Sequence, residues 1–90
     1  VDAFQNIKED ITNMTTEFVF AEAMDATITS TLGNWSGSAG QSATAVTMTN
    51  DRSFRVTFDA AIGAADTIDI LTPTDRAGNA GGTITVNPTE

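Results

Sequence analysis

The chain has 90 residues, of which twelve are acidic and four basic, and its formal net charge is −8. A surface of that sign repels phosphate backbones and anionic lipid, so nucleic acid and membrane surfaces are excluded as expected partners. No apolar run approaches the roughly 20 residues of a transmembrane helix, so membrane insertion is not expected.

Cysteine and histidine are both absent, which removes disulfides, thiol nucleophiles, imidazole acid–base chemistry and zinc sites of the usual ligand type. Neither a Gly-x-Ser-x-Gly motif nor a phosphate-binding or dinucleotide-binding loop occurs. We therefore predict that the chain is not an enzyme and requires no cofactor. Since it starts at Val1 rather than at methionine, we interpret it as a mature or excised form of a longer protein.

The first fifteen residues carry a mixed signal. Their apolar residues recur at helical spacing, namely Phe4, Ile7, Ile11 and Met14. A helix this short is marginal in water, and a small sandwich needs a first strand. We favour an extended segment that pairs along an edge. A short helix, or a strand exchanged with a neighbouring copy, is the alternative for this N-terminal segment (1–15), and residues 16–90 form the domain proper.

From residue 16 onward, apolar residues alternate with polar ones, the pattern of half-buried strands. Six segments show it: 16–21, 27–32, 45–49, 53–58, 67–70 and 83–86. Turn-forming residues separate the strands, with a flexible Gly/Ser loop at 33–42, a hairpin turn at 49–53, and connections at 60–66 and 73–82.

Short strands at this spacing predict an all-β fold, an antiparallel β-sandwich. With the N-terminal segment, about seven strands are expected. The predicted core consists of Phe18, Phe20, Val46, Phe54, Val56, Ile68, Ile70, Ile84 and Val86.

Two stretches carry a family resemblance. "FVFAEAMDAT" (18–27) resembles a strand that ends Phe-Ser-Glu-x-Met-Asp before a tight turn, and "DRAGNAGGTITV" (75–86) resembles an Asp-x-x-Gly-Asn turn before a final strand. Both of these patterns are found in the bacterial Ig-like domains of surface-layer and cell-surface proteins, which this chain therefore resembles. The resemblance covers about residues 16–87. The chain departs from the pattern at Ala21, where serine is usual, and at Ile68, where tyrosine is common.

The resemblance implies an Ig-like sandwich in which the loop after the second strand and the loop before the last strand share one end. Glu22 and Asp25 would then approach Asp75 and Asn79. Flexible acidic loops of this kind suit Ca²⁺, which takes six to eight oxygen ligands, so these four residues are a candidate metal site. The alternative is that Asp75 and Asn79 only shape a glycine-rich turn. Met24 is expected to fold back over the end of the core as a flexible plug.

Three other residues are candidate sites. Trp35, the single tryptophan, either covers the edge of the core or stacks on a sugar ring as a ligand-binding residue. Asn13 and Asn34 begin N-glycosylation sequons, which in a chain this rich in serine and threonine also occur by chance.

The function predicted from these observations is that of a structural or assembly module in an extracellular or cell-envelope protein of bacteria or archaea, such as a surface layer, fibre or adhesin. Its partners would be copies of itself or neighbouring Ig-like domains, contacted through strand edges and loops. The alternative is a module that binds calcium or carbohydrate.

Overall fold

The computed structural model describes residues 3–8, 14–29, 31–63 and 65–87, and most of the regular structure in these ranges is β-strand. The strands are β1 (Ala3–Lys8), β2 (Thr15–Phe20), β3 (Trp35–Gly37), β4 (Ala43–Asn50), β5 (Ser53–Phe58), β6 (Ile68–Ile70) and β7 (Ile84–Val86). They form a four-stranded sheet in the order β1-β2-β5-β4 and a three-stranded sheet in the order β3-β6-β7. All neighbouring strands are antiparallel, which confirms the all-β prediction.

β1 shows how residues 3–8 of the N-terminal segment fold. It pairs antiparallel with β2 and lies at the edge of the four-stranded sheet, with Ala3 opposite Phe20 and Lys8 opposite Thr16. Over Ala3–Lys8 the favoured edge strand is therefore present and the helix alternative is wrong. Ile11 lies outside the described residues, and exchange of β1 between copies stays a prediction.

The segment 27–32 was predicted to be a strand, and this prediction is wrong. The chain instead forms a short helix, α1 (Ala26–Thr29), followed by a 3₁₀ helix at Leu32–Asn34. The Thr31 hydroxyl donates to the Thr27 carbonyl at 3.1 Å, and the Asn34 N–H donates to the Thr31 carbonyl at 3.0 Å. These tight turns carry the chain from the first sheet to the second. No helix among the described residues is long and apolar enough to span a membrane.

The segment 33–42, predicted as a flexible loop, contains β3. Trp35 pairs with Ile70 and Gly37 with Ile68, so the glycine- and serine-rich stretch is held through its main chain. Sequence composition missed this strand because its pairing depends on the backbone and on one large apolar side chain. The predicted hairpin turn at 49–53 is confirmed, since β4 and β5 are joined by Asp51 and Arg52.

Side chains from both sheets meet in one apolar core. Six of the nine predicted core residues are fully buried: Phe18, Phe20, Phe54, Val56, Ile68 and Ile70. The other three, Val46, Ile84 and Val86, are half-buried and pack against this cluster. The core also contains Met24, Trp35, Phe58 and Ile62. Trp35 connects the sheets, because its ring lies 5.1 Å from that of Phe18 and 6.1 Å from that of Phe54.

One buried polar group interrupts the apolar face of β2. Thr16 is fully buried, and within the described residues its hydroxyl has no hydrogen-bond partner. Removing a buried, unsatisfied hydroxyl recovers a desolvation cost of about 1–3 kcal/mol. We expect Thr16→Val to raise the free energy of unfolding by about 1 kcal/mol, measured as a higher urea midpoint at unchanged slope.

The matched control is Thr15→Val on the same strand. The Thr15 hydroxyl shares a cross-strand hydrogen bond of 3.3 Å with that of Thr57, so its removal should bring no gain in stability. Equal midpoint shifts for both variants would contradict the assignment of a desolvation cost to Thr16.

Candidate functional site

The loop that follows β2 and the turn that precedes β7 lie side by side. Met24 and Asp75 form an isolated antiparallel bridge. The Asp25 N–H donates to the Thr74 carbonyl at 2.9 Å, and the Arg76 N–H donates to the Ala23 carbonyl at 3.0 Å. The expectation that these two loops share one end of the molecule is therefore confirmed. We call this region, residues 21–25, 51–52 and 73–79, the Met24 end.

The β4–β5 turn completes the Met24 end. The Asp51 carbonyl accepts a hydrogen bond of 2.8 Å from the Met24 N–H, and the Arg52 carbonyl accepts one of the same length from the Phe20 N–H. Arg76 and Asp51 form an ion pair at 3.8 Å, but both side chains are at least half exposed. Such a pair contributes little to stability, so main-chain hydrogen bonds hold the three segments together.

Met24 closes the core at this end. Its side chain is 1% exposed and belongs to the core cluster, while Glu22 two residues earlier is exposed. A thioether side chain adapts its shape to an irregular gap between loops. The predicted role of Met24 as an apolar plug is confirmed, and it explains why an apolar strand runs directly into an acidic turn.

Asp75 organises the turn of residues 75–79. Its Oδ1 accepts a hydrogen bond of 2.8 Å from the Asn79 N–H, and its Oδ2 accepts one of 3.1 Å from the Asn79 side-chain amide. The turn also needs Gly78, whose φ of +91° strains residues that carry a side chain. Hydrogen bonds to the charged carboxylate, above all from the Asn79 N–H, hold the pKa of Asp75 below its usual value, although burial acts in the opposite direction.

The four candidate metal ligands therefore differ in their surroundings. Glu22 and Asn79 are exposed, Asp25 is half-buried and Asp75 is buried. Among the described residues, no group of three or more His, Cys, Asp or Glu side chains is placed to hold a metal ion. Both carboxylate oxygens of Asp75 serve the turn itself. The metal assignment stays a prediction, and the geometry described here is that of a shaped turn.

The placement of Trp35 does not fit the ligand-binding alternative. The side chain is 1% exposed and packs between Phe18 and Phe54, which leaves neither face of the indole open to a sugar. The packing alternative describes it, because a large ring on β3 gains most by burial between the sheets.

Of the two glycosylation sequons, only the one that begins at Asn34 lies within the described residues. Asn13 lies outside the described residues. Asn34 ends the 3₁₀ helix and is half-buried, and its carbonyl accepts a hydrogen bond of 2.8 Å from the Leu71 N–H. Its glycosylation stays a prediction.

A polar cluster at the opposite end was not anticipated from the sequence. Gln41 is 3% exposed. Its Oε1 accepts a hydrogen bond of 2.9 Å from the Ala39 N–H, and its Nε2 donates to the Ala61 carbonyl at 3.0 Å and to Asp66 Oδ2 at 3.1 Å. We call these residues, with Gly37 packed against the glutamine, the Gln41 cluster. It ties the loop after β3 to the loop after β5.

Comparison with solved structures finds a clear likeness of fold. The chain resembles the crystal structure of the N-terminal part of the bacterial S-layer protein SbsC, with a TM-score of 0.77 over 92% of this chain. The two sequences are 16% identical, so the likeness concerns the fold alone. The chain spans 21% of the length of that structure's chain. No protein-family model matches the sequence, and no curated protein matches it.

The carboxylate of Asp75 gives a testable dependence on pH. Because its pKa is depressed in the folded state, its contribution to stability is fully present above the unfolded pKa of about 3.9 and is lost as the pH falls through the lower folded value. We expect Asp75→Asn to lower the melting temperature at pH 7. The difference from the unmodified chain should shrink as the pH falls below about 4.

Glu22→Gln is the control for this experiment, since it changes the net charge equally at an exposed position of the same end. In buffer with chelator it should leave the melting temperature almost unchanged. A pH-independent difference between Asp75→Asn and the unmodified chain would mean that the carboxylate charge does not stabilise the turn.

Proposed function

We propose that this chain is an Ig-like β-sandwich domain that acts as a non-catalytic structural module of an extracellular or cell-envelope protein. The observation that carries this proposal is the likeness of fold to the N-terminal part of a bacterial S-layer protein. That protein is named as a surface-layer component, and the proposal extends the same kind of role to this chain.

The strand order supports the Ig-like assignment. Ig constant-type domains have strands A-B-E-D in one sheet and C-F-G in the other. Numbered along the chain, the orders β1-β2-β5-β4 and β3-β6-β7 follow the same arrangement. The core draws side chains from both sheets, as a sandwich requires.

The direction of the chain through the domain supports a place in a string of modules. β1 begins opposite Phe20, at the Met24 end. β7 finishes opposite Ile68, and the Asn87 side chain donates to the Asp66 carbonyl at the other end. A domain joined before β1 and one joined after β7 would attach at opposite ends, as a load-bearing series requires.

The chemistry of the chain supports a structural rather than catalytic role. It contains no histidine and no cysteine. The buried polar side chains of Asp75 and Gln41 form hydrogen bonds that hold loops together. Catalysis requires a nucleophile and a base placed within hydrogen-bond reach of a substrate.

The test is the location of the domain on its native cells. An antibody raised against the folded domain, used in immunogold electron microscopy, should label intact cells of the source organism in a continuous layer or along fibres. Permeabilised cells and an antibody against an internal protein serve as controls. Labelling that appears only after permeabilisation would contradict the proposal.

Calcium binding at the Met24 end is the alternative role. If Glu22, Asp25, Asp75 and Asn79 hold Ca²⁺, the ion binds the folded state alone and raises the melting temperature, by an amount that grows with the logarithm of its concentration above the Kd. Calorimetry in calcium and in chelator decides this. Identical curves would leave the shaping of the turn as the role of these residues.

A further inference from the structure

The charges of this chain are distributed very unevenly. No charged residue occurs between Asp25 and Asp51, although the remaining sequence contains all twelve acidic and all four basic residues. This charge-free stretch contains α1, the 3₁₀ helix, β3 and the whole of β4. Two copies, each with a net charge of −8, repel each other, and an approach through this stretch places none of its own residues as a like charge in the contact.

β4 is also an edge of the four-stranded sheet. The Phe58 N–H donates to the Met14 carbonyl, on the side of β2. By alternation along β5, the main-chain groups of Val56 and Phe54 point to β2 as well. Their partners on β4, Val46 and Met48, are therefore not hydrogen-bonded to β5, and their N–H and C=O groups point out of the sheet.

The other sheet edges in the described part of the chain are less suited to an added strand. β1 contains Lys8, a charge that discourages edge pairing, and β7 has only three residues. β3 has only three residues, and a bridge between Ser36 and Ser42 occupies part of it. β4 has eight residues with neither charge nor proline.

We propose that the β4 edge binds the β4 edge of a second copy, antiparallel and about a two-fold axis at Thr47. Val46 of each copy then lies opposite Met48 of the other, and their outward N–H and C=O groups form the hydrogen bonds. This inference rests on the proposed structural role and names the surface through which it acts. Shifts of register between Ala43 and Ala45 and between Met48 and Asn50 limit the regular contact to the four residues Ala45–Met48.

A contact of four residues is weak by itself. It becomes effective when many copies are held together, because linked sites raise the effective concentration of each pair. For the isolated chain we expect reversible dimers, seen by sedimentation velocity at concentrations up to roughly 1 mM.

The first test uses the absence of cysteine from the chain. At the two-fold axis, the Cα atoms of the two Thr47 residues form a non-hydrogen-bonded pair about 4.5 Å apart, within the range of a disulfide. Under mild oxidation, Thr47→Cys should form covalent dimers at least about tenfold faster than Ala77→Cys, which places a thiol in an exposed turn at the Met24 end. Equal rates would overturn the proposal.

The second test introduces a like charge at the axis. Thr47 is exposed, so Thr47→Lys should leave the fold intact and abolish the dimer, while Ala77→Lys, with the same change of net charge, should dimerise like the unmodified chain. Dimers that persist in Thr47→Lys would place the contact elsewhere and overturn the β4 assignment alone. If the unmodified chain stays monomeric up to roughly 1 mM, the proposed pairing of β4 edges is overturned. Surface labelling of cells tests the structural role independently of both results.

Discussion

We expect Phe54→Ala to lower the free energy of unfolding by about 3–5 kcal/mol, the usual cost of truncating a fully buried aromatic side chain. Phe54 is 0% exposed and lies on β5, between β2 and β4. Its ring meets Phe20 edge-on at 5.7 Å and Trp35 at 6.1 Å, so it contacts an aromatic side chain from each sheet. The total free energy of unfolding of a small domain is on the order of 5–15 kcal/mol, so this single loss is a large part of it.

Urea unfolding followed by fluorescence measures this loss, because Trp35 is the single tryptophan and packs beside Phe54. If Phe54→Ala does not fold, Phe54→Leu retains most of the volume and should show a smaller loss of about 1–2 kcal/mol. The control is Leu71→Ala. This leucine is 39% exposed, so its truncation should cost less than about 1 kcal/mol. Losses of similar size at Phe54 and Leu71 would contradict the position of the core described here.

The residues that were predicted correctly follow from local periodicity. In β5, Phe54 and Val56 alternate with polar residues and are buried as predicted, and Phe58, which continues the alternation, is buried as well. The hairpin turn at Asp51 and Arg52 also follows from its local sequence. A strand with one apolar face can be recognised without knowledge of its neighbours, because successive side chains of a strand point to opposite faces of the sheet.

The errors lie where distant contacts decide the structure. Residues 27–32 alternate as well as any strand, yet Ala26–Thr29 and Leu32–Asn34 form helical turns where the chain crosses from β2 to β3. Residues 35–37 look like a loop, yet Trp35 pairs with Ile70 and is buried. Ile62 was not among the predicted core residues, yet it is buried within the connection 60–66. The pairing of Trp35 with Ile70 and the burial of Ile62 in the core depend on residues far away in the sequence.

The candidate site shows the same division. The family resemblance implied that Glu22, Asp25, Asp75 and Asn79 lie on two loops at one end, and the bridge between Met24 and Asp75 brings those loops together. It could not indicate that Asp75 would use both carboxylate oxygens on Asn79, because that depends on the conformation of the turn. The Gln41 cluster could not be predicted from sequence patterns, because the Gln41 side-chain amide donates hydrogen bonds to residues 20 and 25 positions further along the chain.

Gly37→Ala is the second substitution for which we expect a large effect. A Cβ atom built on Gly37 would lie 2.7 Å from Cδ and 2.8 Å from Cβ of Gln41, and closer still to its Oε1. Real side chains do not approach so closely, so either the glutamine or the β3 main chain must move. The glutamine is 3% exposed and makes three hydrogen bonds, so moving it leaves buried polar groups unsatisfied.

The expected loss for Gly37→Ala is about 2–4 kcal/mol, which combines overpacking with the disruption of buried hydrogen bonds. Gly33→Ala is the matched control, since a Cβ there meets no atom within 4 Å. It should be neutral or stabilise the fold by up to about 1 kcal/mol, because alanine restricts the unfolded chain. Equal urea midpoints for the two variants would show that Gly37 has no special steric role.

A double-mutant cycle separates this clash from a general intolerance of change in β3. Gln41→Gly removes the three atoms that lie nearest to the new Cβ, at the expense of the three hydrogen bonds. In that background, Gly37→Ala should cost less than about 1 kcal/mol, so the two substitutions should be coupled by at least about 1 kcal/mol. If their costs instead add within about 0.5 kcal/mol, the loss at Gly37 arises from the β3 main chain and not from Gln41.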